Sequence, residues 1–240
     1  MNNTNIREDK NAVFSYLFLR RFIGILGISM PFAIVLITAL LYSKGTDCKT
    51  SNVFIDSLQP SLSHYYYTIG HIIFVGILFL IGSFLITYKG KLYEENILST
   101  IAGLSAFSIA IFPTQFEGFN NKDCFQFLSI IHLNDKIPYT VNTLHLLSAA
   151  ILFISFAYFC FRIFPKYDKQ VQHSILTKRK RMFYICGYII LISLIIIAIF
   201  SLLDCFKIYS DFKYYMIIFE SFALWAFGIS WLLSGTKKWL

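Results

Sequence analysis

Charge is scarce in this 240-residue chain, and its scarcity excludes most soluble folds. Charged residues make up 14% of the sequence and hydrophobic residues 57%, whereas soluble domains average about 25% and about 45–50%. Too few polar side chains remain to cover the surface of a soluble globule. The mean hydropathy of +0.63 agrees, and we predict an integral membrane protein.

The sequence also lacks the signatures of several functional classes. It contains no phosphate loop, dinucleotide-binding fingerprint or serine elbow, and no CxxC or Cys/His spacing typical of structural zinc. The first twenty residues hold no compact hydrophobic segment with a small-residue cleavage site, so we expect no cleaved signal peptide. The net charge of +8 comes from short basic clusters between apolar runs, which argues against nucleic acid as a partner.

Six apolar runs follow one another along the chain, each close to the roughly 20 residues that cross a bilayer core. We therefore predict an all-α, integral membrane bundle of six transmembrane helices. A segment over residues 1–21 precedes this domain of residues 22–235, and a short tail of residues 236–240 follows it. The predicted spans are Phe22–Tyr42, Tyr65–Tyr88, Ile97–Pro113, Tyr139–Phe164, Met182–Leu203 and Tyr214–Leu233.

The distribution of basic residues predicts the orientation of these spans. With the N-terminus inside, fifteen of the 21 Lys and Arg residues fall in cytoplasmic segments and six in outer loops. This positive-inside bias places both termini in the cytoplasm. The basic run Lys178–Arg181, just before the fifth span, is interpreted as a topology anchor, with a site for an anionic lipid as the alternative.

The five cysteines divide between predicted loops and predicted spans. Cys48, Cys124 and Cys205 fall in outer loops, where the compartment is oxidising. A disulfide between Cys48 and Cys124 is our first candidate, because it would tie the two longer loops together. Cys160 and Cys186 lie within spans and are expected to behave as small hydrophobic residues.

A lone acid, Glu220, lies within the last apolar run. A carboxylate inside hydrocarbon costs several kcal/mol unless it is paired or protonated, so it marks a candidate functional site. His71, His145 and Glu220 each lie about six residues from the outer end of their span, roughly 9 Å deep at 1.5 Å per residue. We predict that these three side chains converge on one polar centre in the outer half of the bundle.

Further polar residues near that depth extend the predicted centre. His64 precedes His71 by seven residues, two helical turns, which would place both on one helix face. His145 and Ser148 are three apart and share a face for the same reason. The candidate set is therefore His71, His145, Glu220, His64, Ser63 and Ser148.

Three interpretations of this centre remain open. The polar side chains could fix helix packing, because buried polar groups in a membrane must find partners. They could line an outward-facing cavity that binds a lipid headgroup or a small polar ligand. Alternatively, His71, His145 and Glu220 could hold a divalent metal that activates water, which would make the protein an intramembrane lipid hydrolase.

Among functions, we favour a non-enzymatic membrane protein that binds a lipid, a small polar ligand or a partner through this centre. The metal is not favoured, because no HExxH or similar local spacing supports it. A transporter in which the membrane carboxylate relays protons is a further alternative.

Several segments together resemble a known group of proteins. The segments are SLSHYYYT (61–68), IIFVGILFLIGSFLITYKG (72–90), LSTIAGLSAFSIAIFPT (98–114), HLLSAAILF (145–153) and ESFALWAFGISWLLSG (220–235). They resemble bacterial six-span membrane proteins catalogued as a domain of unknown function and, more distantly, the eukaryotic DRAM and Sfk type of membrane proteins.

This resemblance implies a six-helix bundle of the bacterial inner membrane, in contact with membrane lipids and without an established activity. It also implies a functional interest in His145 and Glu220, which lie within the matching motifs. His71 departs from the group's pattern, where a different polar or basic residue is expected, and this departure weighs against a three-ligand metal site.

Overall fold

A computed structural model describes residues 3–45, 57–90, 92–114, 139–166, 173–206 and 214–236, and these parts of the chain are helical, without strands. Short 3-10 or π-helical turns cover Ser63–Tyr67, Phe159–Ile163 and Phe164–Lys166. The α-helices in the described ranges are α1 (Asn3–Gly45), α2 (His71–Thr87), α3 (Tyr93–Ile111), α4 (Tyr139–Tyr158), α5 (His173–Cys205) and α6 (Tyr215–Ser234).

Within the described ranges, four helices are long and apolar enough to cross a membrane. α2 is apolar but has only 17 residues, and α3 is not among the apolar helices of spanning length. The all-helical class is therefore confirmed, together with four helices of membrane-spanning character. Their apolar stretches are Leu17–Leu41, Thr140–Lys166, Lys178–Asp204 and Tyr215–Ser234.

Four helix starts differ by more than one residue from the predicted ones. α3 begins at Tyr93 instead of Ile97, and α5 begins at His173 instead of Met182. α1 begins at Asn3 instead of Phe22, because no glycine or proline interrupts the preceding residues. α2 begins at His71 instead of Tyr65, because Thr68 adopts an extended backbone that ends the preceding 3-10 turn. His71 is therefore the first residue of its helix. The prediction that it lies six residues into a helix, on one face with His64, is wrong.

The six helices form a closed ring in chain order. Each helix packs against the next one, and α6 packs against α1 to complete the ring. α1 and α6 approach closely at Gly24 and Gly228. A Cβ atom on Gly24 would lie 2.7 Å from the Gly228 carbonyl oxygen, and a Cβ on Gly228 would lie 2.6 Å from that of Gly24. Only glycine allows this contact between the two backbones.

Aromatic side chains fill the interior of the ring. Phe156 of α4 and Phe227 of α6 stack with their ring centroids 3.6 Å apart. Trp231 is fully buried and contacts Tyr88 and Phe159 at centroid distances of 5.4 and 5.3 Å. These contacts pack α6 against the elements around it. The polar side chains described below lie near the two ends of the bundle.

The two ends of the ring are closed differently. Residues 57–70, which we call the cap segment, lie across the end that holds the N-termini of α2, α4 and α6. Leu62, Tyr65 and Tyr66 of the cap segment are buried in the core. We call this the Glu220 end. The opposite end, where α6 finishes, is called the Arg20 end.

Candidate functional site

Glu220 faces the interior of the bundle. It lies five residues after the start of α6, and residues 4, 7 and 11 positions further on share its helix face. Those residues are Leu224, Phe227 and Trp231, and all three are buried. The Glu220 side chain itself keeps intermediate exposure, because it lies near the end of the ring.

The cap segment binds α6 at two places. The Leu62 backbone N–H donates to Glu220 Oε2 at 2.6 Å, and the Ile217 N–H donates to the Pro60 carbonyl at 2.9 Å. Within the described residues, Leu62 is the one hydrogen-bond partner of the carboxylate. The second carboxylate oxygen therefore retains its capacity to accept a hydrogen bond.

His145 links three elements through its two ring nitrogens. The ring is buried, with Nδ1 2.7 Å from the Phe112 carbonyl oxygen and Nε2 3.0 Å from Ser63 Oγ. A carbonyl can only accept, so Nδ1 carries the hydrogen and Nε2 offers its lone pair. The Ser63 hydroxyl consequently donates to His145 Nε2.

The predicted pairing of His145 and Ser148 on one face of α4 is confirmed, since both side chains are buried one turn apart. Ser148 Oγ donates to Ser108 Oγ of α3 at 2.7 Å. This bond joins α3 to α4 directly beneath His145.

His64 and His71 make their contacts within the cap segment. His64 Nδ1 lies 2.5 Å from Ser61 Oγ. Burial, together with the nearby His145, lowers the pKa of His64 to about 4, so its ring is neutral at pH 7. His71 Nδ1 donates to the Tyr66 carbonyl at 2.8 Å, and its ring meets the Tyr66 ring edge-on.

The three principal predicted residues therefore meet the cap segment separately. Glu220, His145 and His71 bind Leu62, Ser63 and Tyr66 respectively. No group of three or more His, Cys, Asp or Glu side chains that could hold a metal occurs in the described ranges. His71, His145 and Glu220 thus do not assemble the hypothesised metal-ligand set.

An ion pair at the Arg20 end was missed by the sequence analysis. Arg20 and Glu95 are 3% and 0% exposed, and Arg20 Nη2 lies 2.9 Å from Glu95 Oε1. The Tyr88 hydroxyl hydrogen-bonds both side chains. Sequence reasoning counted Arg20 only as a topology charge and assigned no role to Glu95. Arg20 and Glu95 carry opposite charges and lie at the same predicted face of the membrane, and this could have indicated an ion pair.

Three arginines bind the C-terminal carbonyls of α6. Arg20 Nη1, Arg21 Nε and Arg179 Nη2 donate to the carbonyls of residues 234, 235 and 233 at 3.3, 2.9 and 2.8 Å. The last carbonyls of a helix have no partner within the helix and carry partial negative charge. Arg179 of the run Lys178–Arg181 is buried, and the interpretation of that run as a topology anchor stays a prediction.

The cysteine predictions have different outcomes. Cys48 and Cys124 lie outside the described residues, so their disulfide stays a prediction. Cys160 and Cys186 are buried free thiols, which confirms their interpretation as small hydrophobic residues.

Comparison with known proteins assigns the chain to no family. A scan against protein-family models found no matching family, and searches of curated proteins and of solved structures found no similar protein. The resemblance to the six-span bacterial group, and the inner-membrane location that it implies, therefore stay predictions.

Proposed function

We propose that the protein is a six-span membrane protein with both termini in the cytoplasm, and that its Glu220 end binds the ammonium group of a lipid headgroup. Six spans are supported by the closed ring, in which α2 and α3 lie between helices of spanning length. The 17 residues of α2 extend about 26 Å, close to the thickness of a bilayer core of about 30 Å.

The charges at the Arg20 end support its cytoplasmic placement. Arg20, Arg21 and Arg179 cluster around the C-terminus of α6, and Lys178 and Arg181 are exposed beside them. Basic residues accumulate on the cytoplasmic side of membrane proteins. The Glu220 end then lies at the outer leaflet.

Single-cysteine variants test this orientation on one helix. Lys178 lies in the first part of α5 and Phe206 directly follows its last residue, and both side chains are exposed. In a background without the native cysteines, we expect a membrane-impermeant maleimide to label Phe206→Cys in intact cells. Lys178→Cys should react only after the membrane is opened. The reverse pattern would overturn the proposed sidedness.

The half-satisfied carboxylate of Glu220 is the observation that carries the binding proposal. One oxygen accepts the Leu62 N–H, and the other is bound by no residue in the described part of the chain. A carboxylate in an apolar bundle needs compensation. A cation that enters from the outer leaflet would provide it, and the ammonium group of phosphatidylethanolamine has the required charge and hydrogen-bond donors.

Lipid binding can be measured by native mass spectrometry of the purified protein. We expect phosphatidylethanolamine to bind more tightly than phosphatidylglycerol, which lacks the ammonium group. Glu220→Gln should weaken this binding about ten- to hundredfold, because a hydrogen bond to a charged group contributes about 1.5–3 kcal/mol. Asp204→Asn is the matched control, since Asp204 is an acid at the same end that is bound to the Tyr215 hydroxyl at 2.9 Å.

Two outcomes would contradict the binding proposal. Equal binding of the two lipids would show that the headgroup charge is not recognised, and unchanged binding in Glu220→Gln would show that this carboxylate is not involved. Competition by free ethanolamine distinguishes a general amine site from one that also requires the acyl chains.

A further inference from the structure

Ser63 is bonded differently from the serines that bond within their own helices. Seven serines within helices donate to a carbonyl three or four residues earlier in their own helix, which satisfies the hydroxyl locally. Ser63 instead donates to an imidazole from another element, 82 residues away in the chain. The seven locally bonded serines are Ser29, Ser99, Ser105, Ser155, Ser221, Ser230 and Ser234.

The Ser63 hydroxyl, the His145 imidazole and the Phe112 carbonyl form a continuous chain of hydrogen bonds. The two links measure 3.0 and 2.7 Å. The tautomer fixed by Phe112 directs the basic Nε2 lone pair at the Ser63 hydrogen. This is the arrangement of a nucleophile, a general base and a group that orients the base.

The exposure of Ser63 and the burial of His145 are also those expected of a nucleophile and its general base. Ser63 is half-buried in the cap segment at the mouth of the ring, whereas His145 is buried beneath it. A substrate that approaches from the Glu220 end would therefore meet the hydroxyl before the imidazole. The residue before Ser63 donates its N–H to Glu220, so the hydroxyl lies next to the proposed ammonium site.

We propose that Ser63 is a catalytic nucleophile and His145 its general base, and that together they hydrolyse an acyl ester. The lipid class of the substrate rests on the ammonium binding proposed above, which would hold the headgroup while Ser63 meets an ester of the same molecule. The dyad itself depends only on the hydrogen-bond chain through Phe112.

The reaction balances with water as the only co-reactant. Ser63 Oγ forms a bond to the ester carbonyl carbon while its proton moves to His145 Nε2. The ester C–O bond then breaks, and the leaving alcohol takes that proton. Water, deprotonated by the same nitrogen, attacks the acyl-serine, and the fatty acid leaves as Ser63 recovers its proton.

His64 provides a neutral donor beside the nucleophile. Ser61 Oγ accepts the His64 backbone N–H at 3.2 Å and offers its own hydrogen to Nδ1 at 2.5 Å. The ring hydrogen of His64 is then on Nε2, where it has no partner among the described residues. His64 follows Ser63 in the chain, and this N–H is a candidate for stabilising a developing oxyanion.

A small alkyl fluorophosphonate tests the dyad in the full-length protein. Ser63 Oγ attacks phosphorus, fluoride leaves, and the proton moves to His145. We expect mass spectrometry to find the adduct on Ser63 of the wild-type protein and no adduct in Ser63→Ala. His145→Gln should slow labelling at least about 100-fold, because general bases contribute about 10²–10⁴-fold. Ser155→Ala should label at the wild-type rate, because Ser155 bonds within its own helix turn.

A second variant covers the case in which His145→Gln fails to fold. Ser63→Cys should react with iodoacetamide. The pH dependence of the reaction rate should be that of a thiol paired with an imidazole and not that of a free thiol. A wild-type protein without an adduct on Ser63 would overturn the proposal, as would an unchanged labelling rate in folded His145→Gln.

The probe carries no ammonium group, so its result is independent of headgroup binding. Absent labelling together with intact lipid binding would overturn the dyad alone. Labelling of Ser63 without selective binding of phosphatidylethanolamine would support the dyad and overturn the proposed headgroup site.

Discussion

Removal of the Glu95 charge gives the sharpest test of what holds the bundle together. Glu95→Gln keeps the size of the side chain but leaves the guanidinium of Arg20 without its carboxylate. Both residues are almost completely buried, so water cannot replace the lost charge. Removal of one partner of a buried ion pair costs about 3–5 kcal/mol. A protein of this size loses about 2–4 °C in Tm per kcal/mol, so we expect a decrease of roughly 6–20 °C.

The neighbouring residue supplies a matched control. Glu94 also pairs with a cation, Lys166, at 3.3 Å, but the two side chains are 60% and 49% exposed. Exposed pairs contribute about 0–1 kcal/mol. Glu94→Gln should therefore change the Tm by less than about 4 °C, although it removes the same charge from the same helix turn.

Thermal unfolding in detergent can be followed with a thiol-reactive fluorescent dye. Cys160 and Cys186 are buried free thiols, which become reactive when the bundle opens, and the other three cysteines are replaced to isolate their signal. Equal Tm values for Glu94→Gln and Glu95→Gln would refute the reasoning. The double variant Arg20→Met/Glu95→Leu should recover part of the loss, because it leaves no unpaired charge in the core.

Two further predictions concern packing and pH. Gly228→Ala should destabilise the bundle by about 1–3 kcal/mol, because the new Cβ would lie 2.6 Å from the Gly24 carbonyl oxygen. Gly76→Ala is the control. Its Cβ would meet nothing within 4 Å, so its Tm in the same assay should be nearly unchanged. The fold favours neutral His64, whose pKa is lowered from 6.5 to about 4, so its contribution is complete above pH 6.5 and is lost as the pH falls towards 4. Amide exchange in the cap segment, compared with His64→Gln at each pH, should show a loss of protection specific to the wild type below about pH 6; parallel profiles would contradict this prediction.

The fold could be predicted from composition because membrane insertion depends on summed hydrophobicity. Runs of about 20 apolar residues identify helices whatever their partners are, so α6 begins within one residue of its predicted start. The second helix was misplaced because hydropathy does not distinguish a spanning helix from an apolar cap. Tyr65 and Tyr66 are buried across the end of the ring without belonging to α2.

The site could be predicted only in part, because depth along a helix says nothing of its direction around the axis. Depth correctly brought Glu220 and His145 to one end of the bundle. Depth did not show that Glu220 and His145 would each bind the cap segment and not one another. The Arg20–Glu95 pair was missed because sequence reasoning assigns charges at helix ends to water. The ring instead buries this pair, with the Arg20 guanidinium against the rings of Tyr88 and Phe164.

The difference between the two ends of the ring supports a functional role for the Glu220 end. At the Arg20 end, the described charges of Arg20 and Glu95 are paired, and aromatic rings pack closely around them. At the Glu220 end, closure depends on hydrogen bonds from separate helices to a short cap segment. Leu62, Tyr65 and Tyr66 of the cap segment are also buried in the core, so the bonds to Glu220 and His145 add polar links to an apolar closure. A ligand on the second oxygen of Glu220 would lie beside the cap segment that contains Ser63, and the Arg20 end would keep the six helices in place.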